Sequence, residues 1–236
     1  PLRRGSRHDR SAPATLAARD LRRSVAALVV TASQHRAAAP ARIAVYTHLV
    51  DVLLYPDEAL LESVRSGRLA ASIREAASLL PYALEPGAFD AVPADGELAL
   101  GPHYIRLFDV PAQGTPCPLY GGALGGDRRA TMEDLLRFYR HFGLSVVHAE
   151  DRDVPDSVPT VLEFLGYLVM REQDSPEAKA GTFRRAQHDV LERHLARWAP
   201  IIAARVAKLD PPAFYAASTK LLDDFVRGEA AALAQG

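Results

Sequence analysis

Ser157-Val-Pro-Thr-Val-Leu-Glu-Phe-Leu-Gly-Tyr-Leu-Val-Met170 is the stretch on which the fold turns. Val158, Val161, Leu162, Leu165, Leu168 and Val169 recur at threes and fours, the period of an α-helix, and fill one wide face. Phe164, Tyr167 and Met170 occupy much of the remainder. A helix apolar nearly all round belongs in the middle of a bundle. Glu163 stands within it, on the stripe shared with Gly166 and Tyr167. A carboxylate in such a place must be paired or must face a crevice.

The same period runs outward in both directions. Toward the C-terminus, Pro176 to Trp198 carries Leu191, Leu195 and Trp198 on one face, and Pro211 to Leu233 carries Phe214, Leu221, Leu222 and Phe225. Toward the N-terminus, Thr131 reads as the cap of a helix ended by Gly143, with Asp134 as an Asp variant of the capping box. Pro111 to Gly126, with three Pro and five Gly, reads as a loop. Glu97 to Phe108 is helical, with Tyr104, Leu107 and Phe108 on one face. Pro81 to Gly96 reads as a hinge. Before it lie helices from Ala14 to about His35, from Pro40 to Leu54, after an Asp57 cap, and from Arg68 to Leu80. Strand-like alternation is scarce. The sum is an all-α bundle of about eight to ten helices, with a front half (14–80), a hinge (81–96) and a back half (97–236).

Composition narrows the function. The chain has 236 residues, 48% hydrophobic and 24% charged, with a formal net charge of -1. A general nucleic-acid binder would carry a basic excess to neutralise phosphates. The seven arginines among the first 23 residues form a local exception, and residues 1–13 read as a disordered Arg-rich tail. Arg22-Arg23 followed by Val25 to Val30 resembles a twin-arginine export signal, though the apolar run is only six residues long. No run approaches the ~18 apolar residues that span a bilayer.

Catalytic patterns are sparse. Cys117 is the lone cysteine, which excludes a disulfide framework within the chain and multi-cysteine metal sites. His188 and Glu192 share a helix face but lack a third ligand. Gly121 to Gly126 lacks the Lys-Ser/Thr ending of a phosphate loop. We therefore expect no catalytic residues, no bound metal and no cofactor. Two stretches stand out instead. Leu119 and Tyr120 follow the Tyr104–Phe108 face in a turn-forming context; they either plug the core or rim an apolar groove. The acidic run Glu150, Asp151, Asp153 and Asp156 offers carboxylates to guanidinium groups, or is a solvated loop with Asp156 as helix cap.

These features stand in a telling order: Tyr104-x-x-Leu107-Phe108, then Pro118-Leu-Tyr120, then Met132-x-x-Leu135-x-x-Phe138-Tyr-x-x-Phe142-Gly143-Leu144. Pro155-Asp156, Glu163-Phe164-Leu165 and Gln187-x-x-x-Leu191-x-x-His194-Leu195-x-x-Trp198-x-Pro200 follow. From about Glu97 to Pro200 the chain resembles the TorD/DmsD/NarJ family of redox-enzyme maturation chaperones. The resemblance implies a cytoplasmic protein that binds the N-terminal, often twin-arginine, segment of a molybdopterin enzyme's catalytic subunit until cofactor insertion. In the family the motif's Asp and the next residue are implicated in client binding, here Asp156 and Ser157. The residue reading adds Tyr104, Leu107, Phe108, Pro118, Leu119 and Tyr120 as an apolar groove and Glu163 as a second carboxylate. Ser157 replaces the His that usually follows the motif's Asp. A monomer or a domain-swapped dimer fits equally. The rival readings are a helical small-molecule or cofactor-binding protein, with a pocket in the bundle and a ligand role for His103 or His141, and a helical transcription regulator.

Overall fold

In the computed structural model, residues 33–89, 100–109, 114–145 and 154–234 are described. The expected tail, most of the Ala14–His35 helix, the acidic residues 150–153 and part of the hinge lie outside them. Among the described residues there are ten α-helices and no strand.

Residues 33–37 are helical and run into α1 (Ala39–Leu53) through a kink at Ala38. Pro40 explains the kink, because it lacks the N–H that would bond the carbonyl of Arg36. Asp57 then accepts from Leu60 N at 2.8 Å and caps α2 (Glu58–Arg65), as the sequence predicts. Next come α3 (Arg68–Ser78) and a single 3-10 turn at Gly87–Phe89. Leu100–Phe108 forms α4; the expected start at Glu97 lies outside the described residues.

Three local expectations fail here. The stretch 111–126 is not all loop, since Gly121–Leu124 forms one helical turn, α5. The following helix, α6 (Arg128–His141), starts three residues before Thr131, and Asp127 caps it by accepting from the amides of Arg129 and Ala130. Gly143 does end that run, at φ 75, where a side chain would be strained. The helix expected to stop at Trp198 continues: α8 (Glu177–Val190) passes through a π-helical turn (Leu191–Leu195) into α9 (Ala196–Ala207), with Pro200 inside. The chain closes on α10 (Ala213–Ala234).

The quoted stretch is α7 (Val158–Asp174), and its apolar face is fully buried. α1 packs along it more extensively than any other pair of elements, with α8 on another side, so front and back halves share one core. α7 is not buried all round, however. Glu163 is exposed, Tyr167 is half-buried and Met170 is 42% exposed.

A buried polar knot crosses this core, and sequence reading missed it. Arg42 of α1 is fully buried and donates to both carboxylate oxygens of Glu229 of α10 at 2.7–3.0 Å, and to Gln187 Oε1 of α8 at 2.6 Å. Gln187 in turn donates to Glu172 of α7, which also accepts from Arg184. The hydroxyls of Tyr46 and Tyr82 complete the shell around Glu229. Burial alone would raise the Glu229 carboxyl; Arg42 and His35 outweigh it and hold that carboxyl well below the usual carboxylate range. Four helices thus meet on one buried charge pair, where a wrong register would leave an ion unpaired.

Candidate functional site

The two segments singled out by sequence lie side by side. Tyr120 and Ser157 form an isolated antiparallel bridge. Val158 N donates to Leu119 O at 2.9 Å, and Gly121 N donates to Asp156 O at 2.8 Å. Gly121 can be nothing larger, because a Cβ there would stand 2.2 Å from Trp198 Cζ2. That contact seats the turn 119–124 on α9.

Asp156 is neither solvated nor the cap of α7. Its side chain is fully buried, and Oδ2 accepts from Gly122 N at 2.8 Å, so it caps the α5 turn from across the bridge. Oδ1 has no hydrogen-bond partner among the described residues. Ser157, the residue before α7, is nearly buried and makes no side-chain cap. Tyr139 of α6 donates its hydroxyl to Pro155 O at 2.8 Å. Burial first, then the charges of Asp156 and Glu163, push that phenol up, so both carboxylates act on one ring. Glu163 stands five residues into α7 from Val158, about 8 Å along the axis, on the outside of the helix.

The expected apolar rim is largely core. Leu107 is 0%, Phe108 4% and Leu119 5% exposed, so these residues plug the bundle. Cys117 N donates to Leu107 O at 3.0 Å, which pins the proline-rich turn to α4. Tyr104 is half-buried, stacked edge-on to Tyr55 and tilted against Phe108, with its hydroxyl on Leu53 O. Pro118 is half-buried, and Tyr120, 36% exposed, is the rim residue that reaches solvent.

Exposed apolar surface lies beside Tyr104, at Leu54, Tyr55 and Ile105, and also along α7. Tyr167 and Met170 continue the Glu163 stripe toward the C-terminal end of α7. A groove of about 400 Å³ between α6 and α8 is floored by Phe138, Phe142 and Ala186, with Arg137 and Arg185 on its walls. Asp134, expected as a capping-box partner, closes one end of that groove by pairing with His194 Nε2 at 3.1 Å and with Arg193. Burial lowers the His194 pKa in spite of that pairing, which favours the neutral ring at pH 7.

No group of three or more metal-ligating side chains occurs among the described residues. Burial pushes the Cys117 thiol up to about 11, against a nucleophilic role. No helix among the described residues is long and apolar enough to cross a membrane.

Comparison with known proteins agrees with the motif order. The selenate reductase assembly chaperone protein of Thauera selenatis is 35% identical over 124 residues, 50% of this chain and 63% of that protein. The chlorate reductase assembly chaperone protein of Ideonella dechloratans is 33% identical over 120 residues, 48% of this chain and 61% of its own length. The perchlorate reductase assembly chaperone protein of Dechloromonas aromatica is 26% identical over 195 residues, 79% and 87% of the two chains. The chain thus covers less than two thirds of the first two relatives. A family model for the nitrate reductase delta subunit matches residues 66–204, from just after α2 into α9 and more than half of the chain. On that match this chain belongs to the nitrate reductase delta subunit family, the NarJ/TorD type of helical protein.

Proposed function

We propose that this chain is a cytoplasmic, non-enzymatic chaperone for the assembly of a molybdopterin-containing reductase. It binds the N-terminal segment of the catalytic subunit and holds it until the cofactor is inserted. The observation that carries this reading is the family match, joined by three relatives that are each called a reductase assembly chaperone. The cofactor belongs to the client; the chaperone's own residues supply binding only.

A leader with paired arginines and an apolar helical stretch needs carboxylates beside an apolar track, which is helix-in-groove recognition. Glu163 supplies an exposed carboxylate. Asp156 supplies a buried one whose Oδ1 would be completed by an arriving guanidinium once the Tyr120–Ser157 bridge opens. Tyr120 and Pro118 form the near rim. Tyr104, Leu107, Phe108 and Leu119 support that rim from beneath, and Ser157 links it to α7.

Deletion of the gene tests the reading in the cell. The reductase catalytic subunit should then accumulate with little bound molybdopterin, and re-expression of this chain should restore it. A fully loaded reductase in the deletion strain would sink the proposal.

A further inference from the structure

The groove between α6 and α8 has no part in the function proposed above, and its charge is opposite to that of Asp156 and Glu163. Arg137, Phe138 and Phe142 share one face of the α6 run, and Arg185 and Ala186 stand on the facing side of α8. From Asp134 to Phe142 one wall covers eight residues, about 12 Å of helix. The other, from Thr182 to Arg193, covers eleven, about 16 Å. Walls of that length match about two to three turns of a third helix.

The acidic groups of the groove are already engaged. Asp134 pairs with His194 and Arg193, and Asp189 with Arg193. Arg193 also lies over the Phe138 ring, 5.6 Å from its centroid. Arg137 and Arg185 are different. Both are exposed, and no carboxylate among the described residues answers either; Arg185 reaches Thr182 Oγ1 at 3.5 Å. The aromatic floor continues beyond the groove, where Phe142 packs on Phe183 at 5.4 Å and Arg171 lies over Phe183 at 5.8 Å. Guanidinium groups therefore border half-buried phenyl rings along the whole surface.

We infer that this groove is a docking surface for an acidic amphipathic helix of a partner protein. The helix lays its apolar side chains on Phe138 and Phe142, where the small Ala186 leaves space between the walls. Its carboxylates meet Arg137 and Arg185, whose planar forks accept them in pairs of hydrogen bonds. The net charge of -1 supplies no extended basic field, so the chemistry favours an acidic helix over a nucleic-acid strand. A leader with paired arginines is repelled here and drawn to Asp156 and Glu163, so the two surfaces sort their segments by sign. The inference stands on the groove alone and does not require the function proposed above.

The test uses the full chain and two labelled synthetic helices of about eighteen residues, about 27 Å long. Both carry Leu and Phe along one face; one has Glu on its remaining positions, the other Gln. The wild type should take the Glu peptide at least about tenfold more tightly than the Gln peptide, and by a smaller margin at high salt. Arg137→Glu combined with Arg185→Glu should abolish that preference, while the Gln peptide binds as before and the melting curve is unchanged. A single-stranded oligonucleotide is titrated alongside. Equal affinity for the two peptides, or a preference that survives the charge reversal, overturns the inference. So does an oligonucleotide bound more tightly than the Glu peptide and lost in the same variant. Binding of the Glu peptide that appears only after Glu150→Gln, Asp151→Asn and Asp153→Asn also overturns it, by assigning the groove to the chain's own acidic run.

Discussion

The two oxygens of Asp156 stand in different surroundings, and substitutions can separate them. Asn keeps an oxygen for Gly122 N but places an amide where Oδ1 was, which repels a guanidinium. Asp156→Asn should therefore melt near the wild-type temperature yet bind leader peptide about tenfold or more weakly. Asp156→Ala also removes the cap of α5 and should lose about 1–2 kcal/mol of stability. Chemical denaturation of both variants checks this; equal destabilisation would mean that Oδ2 carries nothing. Glu229 has the larger stake. Its folded pKa is depressed, so its contribution is complete above the unfolded carboxylate value of about 4.3 and is lost as pH falls below it. Glu229→Gln leaves Arg42 buried with its charge pair broken and should cost about 3–5 kcal/mol at pH 7. The wild type's advantage should shrink between about pH 4 and pH 2 in acid-unfolding curves. This residue scale was the least legible in the sequence. Arg42 and Glu229 are 187 positions apart, and nothing local marks either as buried. Leu119, by contrast, offered two readings, and the contact of its turn with α7 decided for the core.

Elements were legible where one signal dominated and misread where two competed. Asp57 had no rival and capped α2 as expected. At α6, Asp127 and Thr131 are both good caps, four residues apart. The pair Gly125-Gly126, at φ 129 and 111, turns the chain just before Asp127 and lets the earlier cap win. Asp127→Ala should lower stability by about 1 kcal/mol, while Thr131→Ala should change it by less than about 0.5 kcal/mol. Thermal melts of the two variants decide between the caps, and the opposite order would restore the later start. The helix expected to end at Trp198 instead runs on through Pro200. The helix tolerates it just after the π turn, and Leu191, Leu195, Trp198 and Ile202 all remain buried in the core. No sequence period announces a single widened turn.

For the whole molecule, fold class followed from helical periodicity, and the order of motifs gave the family, because both survive errors of a few residues at each helix end. The candidate site was legible only as a neighbourhood. Tyr120 and Asp156 lie just before α7 and Glu163 in its first half, while Leu107, Phe108 and Leu119, expected as an apolar rim, are buried. Periodicity alone does not separate the exposed positions Glu163 and Met170 from the buried face, because apolar residues recur almost all round α7. The central claim is that this surface receives the N-terminal segment of a reductase catalytic subunit. Calorimetric titration of the full chain with a peptide of the first thirty or so residues of a candidate reductase catalytic subunit tests it most directly. Saturable one-to-one binding in the micromolar range or tighter is expected, weakened about tenfold by Glu163→Gln and by Asp156→Asn without loss of fold. Absence of binding, or wild-type affinity in both folded variants, would contradict it.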